Sequence, residues 1–119
     1  MVVEKPWGKY ELLKLDEGYW IKTLTIFPNC RFSLQYHKNR DEHWIVLRGK
    51  GCVAELAVSK PEDIESYRLK EGDSLTVQRG TIHRIWNHSE DQELEICEIA
   101  FGEPDENDIV RIQDDWGRT

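Results

Sequence analysis

Apolar and polar side chains alternate along most of this chain with a period of two, the repeat of a strand whose two faces meet different surroundings. Strand-like segments occur near 19–27, 31–37, 43–48, 51–58, 65–70, 74–78, 83–88 and 94–101, parted by Pro-Asn, Gly, Glu-Gly-Asp and Ser-Glu-Asp turns. Only Lys60-Pro61-Glu62-Asp63-Ile64 predicts a helical turn; there is no sustained helical period, no internal repeat and no low-complexity stretch. Many short strands predict an all-β sandwich or barrel, and the closed jelly-roll form removes exposed edges while leaving a mouth for a ligand. The ends, 1–17 and 103–119, are expected to wrap the barrel or to pair with a second subunit.

Composition fits one unit spanning 1–119. The chain has 119 residues, of which 39% are hydrophobic, with five Trp to supply a core. No apolar run is long enough to span a bilayer and no charged-then-apolar leader opens the chain, so the cytoplasm is the expected compartment. Three Cys, an odd number without paired spacing, agree. Cys52 and Cys97 lie in apolar strands and are expected as small core residues, with Cys30 in a turn. A net charge of −7 argues against a nucleic-acid surface. A small anionic ligand stays open if cations gather locally inside a cavity.

The chemistry concentrates in Gln35-Tyr36-His37, then Glu42, answered by His83. Gln35 and His37 share a strand face; Lys38-Asn39-Arg40-Asp41 is a polar turn, and Glu42-His43-Trp44-Ile45-Val46-Leu47 is a returning strand that sets Glu42 opposite His37. His83 shares a face with Ile85, whereas Ile82, Arg84 and Trp86 face the other way. Two His, a carboxylate and an amide form a mixed N/O set suited to one divalent transition metal: Zn first, or Mn, Co, Ni or Fe.

Lys22 shares a parity with Trp20, Leu24 and Ile26, so it faces the interior or lies at the barrel rim with its ammonium reaching water. Glu98 sits likewise among Leu94 and Ile96, as a general base or as the partner of Lys22. Arg40, Arg84, Arg111 and Arg118 are the guanidinium candidates for phosphate oxygens. Gly49-Lys50-Gly51 lacks the frame and following helix of a phosphate loop. His43, opposite in parity to Glu42, is expected to be structural.

The spacing resembles the two cupin motifs. In the first, Asn29 stands for the opening Gly and Gln35 for the first His, while His37, Glu42 and Gly49 match; in the second, Gly72, Gly80, His83 and Asn87 match and Gln78 replaces a Pro. Val3-Glu4-Lys5-Pro6-Trp7-Gly8, Leu34-Gln35, Arg40-Asp41-Glu42-His43-Trp44, Asp108-Ile109-Val110-Arg111 and Asp114-Asp115-Trp116-Gly117-Arg118 narrow the resemblance to the type II mannose-6-phosphate isomerase cupin. In that family the cupin is usually the C-terminal half of a bifunctional enzyme with a mannose-1-phosphate guanylyltransferase; here it is expected to stand alone.

The resemblance implies a double-stranded β-helix (jelly-roll) fold and interconversion of mannose 6-phosphate and fructose 6-phosphate. It implies a metal on Gln35, His37, Glu42 and His83, and Glu98 and Arg40 as catalytic candidates. Lys22, Arg111, Arg84 and Asn87 are then expected to bind the phosphorylated hexose. A homodimer is also expected, covering the apolar face of Phe32, Leu34 and Tyr36. The sequence departs from the family at Lys38 and Asn39, where two His are usual, at Thr23 for a basic residue, at Ala100 for Gln, and in a shortened Gly102–Asp108 segment. The alternative those departures allow is a non-catalytic cupin that binds a sugar phosphate or nucleotide sugar beside a separate guanylyltransferase.

Overall fold

A computed structural model describes all residues 1–119. The strands are β1 (Val2–Lys5), β2 (Gly8–Asp16), β3 (Tyr19–Ile26), β4 (Leu34–Tyr36), β5 (Arg40–Arg48), β6 (Cys52–Ala57), β7 (Glu65–Leu69), β8 (Ser74–Val77), β9 (Ile82–Asn87), β10 (Leu94–Gly102) and β11 (Val110–Gln113). Pro61–Asp63 forms a single 3₁₀ turn, with Pro61 at its start where the missing N–H costs nothing. All pairings are antiparallel. They build a six-stranded sheet, β1-β2-β3-β10-β5-β8, facing a five-stranded one, β11-β4-β9-β6-β7. This is the cupin jelly roll.

The alternation in the sequence is the alternation of burial. Trp20, Lys22, Leu24 and Ile26 of β3 are buried, and every intervening residue is half-exposed. In β10, Leu94, Ile96, Glu98 and Ala100 turn inward in the same way, and in β5 Arg40, Glu42, Trp44 and Val46 do. Between the sheets these faces make one core that includes Trp7, Tyr10, Leu24, Ile26, Phe32, Trp44, Val46 and Ile85. Phe32 stands edge-on to Trp7 at 5.7 Å and to Trp44 at 6.3 Å, the arrangement that matches ring edge to ring face.

The termini contribute strands. β1 and β2 extend the six-stranded sheet beside β3, and β11 is the outer strand of the five-stranded sheet beside β4. Gly8 permits the first of these pairings, since a Cβ there would lie 1.9 Å from the carbonyl oxygen of Thr25. Asn29, standing where the motif has Gly, holds the left-handed backbone (φ 59°) that Asn tolerates better than most residues.

Several expectations are corrected. The strand after Arg40 does not return along β4: β5 pairs with β10 and β8, so Gln35 and His37 approach Glu42 from opposite sheets. The face of Phe32 and Leu34 is covered within the chain, because Phe32 belongs to the main core and Leu34 packs with Ala57 and Ile82 under Tyr36, Ile64 and Ile112. Phe32 and Leu34 are therefore buried within the chain, and only Tyr36 of that face stays half-exposed. Cys97 lies on the outward parity of β10 and is half-exposed, unlike buried Cys52; all three Cys are free. Burial pushes the Cys52 thiol up to about 12, and burial also raises Cys30, so neither is a reactive thiolate. No helix is long and apolar enough to cross a membrane.

Candidate metal centre

Register brings the donors together. Gln35 of β4 is the direct partner of His83 on β9, and two residues further His37 turns to the same side. Glu42 projects inward from β5 on the facing sheet. One Glu42 oxygen lies 3.4 Å from His37 Nε2 and the other 3.5 Å from His83 Nε2. The donor atoms of His37, Glu42 and His83 all fall within 4.8 Å of one another, and all three residues are buried.

The rings are pinned so that Nε2 faces inward on both. His37 Nδ1 donates to the Asp108 carbonyl at 2.6 Å and His83 Nδ1 donates to the Thr81 carbonyl at 2.9 Å; a carbonyl can only accept, so the free lone pair of each ring is on Nε2. His83 Nε2 is buried with no hydrogen-bond partner, and Trp44 and Phe32 hold its ring edge-on at 5.5 and 6.4 Å. Gln35 stands beside the set with its amide nitrogen, not its oxygen, 3.3 Å from His37 Nε2; the oxygen accepts from the Ser33 hydroxyl at 2.5 Å and would have to turn inward to ligate. Two neutral imidazole nitrogens and one carboxylate fit a divalent transition metal, and the orphaned His83 Nε2 is a lone pair such an ion would take up.

The electrostatics agree. Burial, the largest influence, lowers His37 to about 4 against the upward pull of Glu42, and burial lowers His83 in the same direction. Both rings are thus neutral at pH 7, the form that ligates. Burial alone would raise Glu42, but His83 and His37, which become charged when protonated in acid, together with Arg40 outweigh it and hold the carboxyl below its ordinary range. Arg40 donates to Glu42 from Nε at 2.9 Å, contacts His37 Nε2 at 3.2 Å and donates to the Asp105 carbonyl at 2.9 Å.

Beside the donors lies a cavity of about 410 Å³, lined in part by Gln35 and Arg40. Lys5, Lys22, Arg40, Arg111 and Arg118 line it against only two carboxylates, Glu98 and Glu106, in a protein that is acidic overall. Lys22 is 4% exposed, so it is an interior cation and not a rim residue. Its ammonium lies 3.7 Å from the Trp20 ring centre and 4.1 Å from that of Tyr10, and its ion-pair partner is Glu106, not Glu98. Glu98 instead accepts a 3.0 Å bond from Trp20 Nε1; burial first, and Glu42 second, push its carboxyl up to about 8. Arg111 Nε is buried without a hydrogen-bond partner.

Two candidates are not brought to this place. Arg84 points to the outer face of the five-stranded sheet, where it pairs with Glu55 at 3.2 Å and donates to Gln113. The even parity of β9, already opposite to His83 in the sequence, put it there. Asn87 is wholly buried but structural: its amide donates to the carbonyls of Ile26 and Gln92, and its oxygen accepts from Ser89 N–H. Sequence reasoning also missed residues. Tyr10 and Glu106 line the cavity from the terminal segments, and the Asp108 carboxylate accepts the backbone N–H groups of Lys38 and Asn39, both at 2.9 Å. Inward parity in β2 could have signalled Tyr10; nothing local marks Glu106.

Comparison with known proteins accords with this geometry. The chain is 36% identical over 118 residues to the xanthan biosynthesis protein XanB of Xanthomonas campestris pv. campestris, covering 98% of this chain and 24% of that protein. It is 35% identical to the alginate biosynthesis protein AlgA of Pseudomonas aeruginosa, with 98% and 23% covered. A mannose-1-phosphate guanylyltransferase of Escherichia coli K12 is 32% identical over 117 residues, with 98% and 23% covered. The chain thus spans about a quarter of the length of these relatives. Among solved structures, the capsular polysaccharide assembling protein CapF of Staphylococcus aureus superposes with a TM-score of 0.81 at 17% identity, over 95% of this chain and 31% of that one, a likeness of fold. The mannose-6-phosphate isomerase C-terminal family matches residues 1–114, and the chain belongs to it.

Proposed function

We propose that this cupin is a metal-dependent aldose–ketose isomerase that interconverts mannose 6-phosphate and fructose 6-phosphate. The observation that carries the proposal is the convergence of His37, Glu42 and His83 beside a cavity rich in cations. Gln35, His37, Glu42 and His83 would hold the ion, Zn first among the candidates. When bound, it would polarise the sugar oxygens and stabilise the charge that develops as the C2 proton moves.

The chain's own residues do the remainder. Lys22, Arg111 and Arg118 line the cavity as cationic partners for the phosphate, and Arg40 keeps Glu42 ionised. Glu98, raised to about 8, divides between acid and carboxylate near neutral pH and so can give or take the proton passed between C1 and C2 through the enediol. Trp7, Tyr10, Leu24 and Phe32 would supply the apolar wall that excludes water from the reacting carbons. Lys38 and Asn39, the departures nearest the donors, are exposed at their side chains and contribute backbone N–H groups to Asp108, outside the cavity.

One observation favours the second reading, a binding cupin without chemistry: Ala100, fully buried, is the cross-strand partner of Glu42 where the family usually presents a Gln. Metal-reconstituted protein is incubated with mannose 6-phosphate and fructose 6-phosphate is assayed, with His83→Ala as control. Turnover lost in the variant supports isomerisation; sugar-phosphate binding with no turnover assigns the chain to the binding reading.

A further inference from the structure

The segment after β10 runs as a strap along the cavity, which Glu106, Asn107 and Ile109 line, and its anchors are at the feet. Glu103 N–H donates to the Asn39 carbonyl at 2.9 Å, and the Asp108 carboxylate accepts from Lys38 and Asn39. Arg40 holds the Asp105 carbonyl at 2.9 Å, while Asp108 N–H donates to that same carbonyl and Asn107 N–H to the Asp105 carboxylate. Gly102 allows the strand to turn into this strap, since a Cβ there would meet the Asn39 carbonyl oxygen at 2.5 Å. Between the feet, Glu106 reaches inward to Lys22.

The two partners are unequally solvated. The Lys22 side chain is 5% exposed and the Glu106 side chain 52%. A buried ammonium is costly without a counter-charge, whereas a half-exposed carboxylate can turn into water by rotating its own bonds. The strap need not open. Without Glu106 or another anion Lys22 would keep only the Trp20 and Tyr10 rings beside its ammonium, and nearby Arg111 already keeps a buried, unpartnered N–H.

We propose that Glu106 is an internal carboxylate ligand of the Lys22 seat, which neutralises the buried ammonium in the empty cavity and which an incoming phosphoryl group must displace. The inference rests on a phosphorylated sugar being the occupant. A neutral hexose cannot supply the charge that Lys22 would lose and so leaves the pair in place, whereas a phosphate supplies more than it removes.

The test measures binding, not turnover. Inorganic phosphate is titrated calorimetrically into the full chain, into Glu106→Gln and into Lys22→Met/Glu106→Gln, with mannose as the neutral control. Removing the competing charge is expected to tighten phosphate binding by about tenfold or more. The gain should vanish in the double variant, and mannose should bind the wild type and Glu106→Gln alike. A parallel thermal scan should show phosphate raising the melting temperature more in Glu106→Gln than in the wild type, because only the variant leaves Lys22 uncompensated. Structural damage does not tighten binding; should Glu106→Gln fail to fold, Glu106→Ala, which also removes the charge, is used with the same expectation. Unchanged or weaker phosphate affinity in the variant overturns the exchange even if the wild type isomerises the sugar. A gain in affinity without any turnover leaves the exchange standing and removes the isomerase reading.

Discussion

The backbone carbonyl of Asp108 accepts a 2.6 Å hydrogen bond from Nδ1 of His37. Seventy-one positions separate the two, yet this contact decides which nitrogen of His37 faces the metal donors. The Asp108 carboxylate fixes the same turn through Lys38 and Asn39. Asp108→Ala keeps the carbonyl but removes the carboxylate that holds the turn in place, leaving two backbone N–H groups to find water. A loss of about 1–3 kcal/mol of stability is expected in urea unfolding, with metal affinity weakened by about 10- to 100-fold in a competitive chelator titration. Unaltered metal affinity would show that the turn does not position His37.

Metal binding should register as stability. An ion that binds only the folded chain stabilises it by about 2.7 kcal/mol at a free concentration of 100 times its dissociation constant. Adding Zn to apo protein is expected to raise the melting temperature, and His83→Ala, which deletes the orphaned Nε2, should abolish the rise. A retained rise in that variant would place the ion elsewhere.

Glu98 makes stability fall with rising pH. Its carboxyl is raised to about 8 in the fold, chiefly by burial, against 4.5 for the ordinary group. Between those values the folded state keeps a proton that the unfolded state has lost, so folding is disfavoured progressively from about pH 4.5 to 8. Each pH unit carries at most about 1.4 kcal/mol. Glu98→Gln, neutral throughout, should flatten this part of a denaturation profile; an unchanged slope would mean that Glu98 is ionised in the fold.

His37 acts in the opposite sense on the acid side. Lowered to about 4 by burial, it stays neutral while the unfolded ring, with its ordinary value of 6.5, takes up a proton. Stability of the metal-free protein should therefore decline as pH falls from about 6.5 to 4, and His83 adds to the decline. Bound metal should steepen it, because protons compete for the same nitrogens. Denaturation with and without Zn across that range reads both effects.

Arg84 separates structure from substrate binding. Its pairing with Glu55 is buried on the outer face of the sheet, so Arg84→Ala strands a carboxylate there. A destabilisation of about 3–5 kcal/mol is expected, with the KM for mannose 6-phosphate unchanged in the folded fraction. A raised KM at full stability would return Arg84 to the substrate.

Strands β3 to β10, their inward faces and the shared face of Gln35 and His37 were legible in the chain because each depends on parity over a few residues, whereas Glu42 and His83 were joined to them only by the motif resemblance. Strand alternation is a local property, and it sends Lys22 and Glu98 inward as surely as Leu24 and Ile96. Tertiary structure decided everything that depends on which strands become neighbours. It carried Glu42 onto the opposite sheet from His37, gave Lys22 to Glu106 in place of Glu98, and covered Leu34 with Ile64 and Ile112. It also set Arg84 and Asn87 to structural work and drew Tyr10, Glu106 and Asp108 from the termini into the cavity and its strap. The physical reason is range: alternation says which way a side chain points, but its partner is chosen by sheet order and by the need of each buried charge for a counter-charge, and neither is written within a few residues of the group concerned.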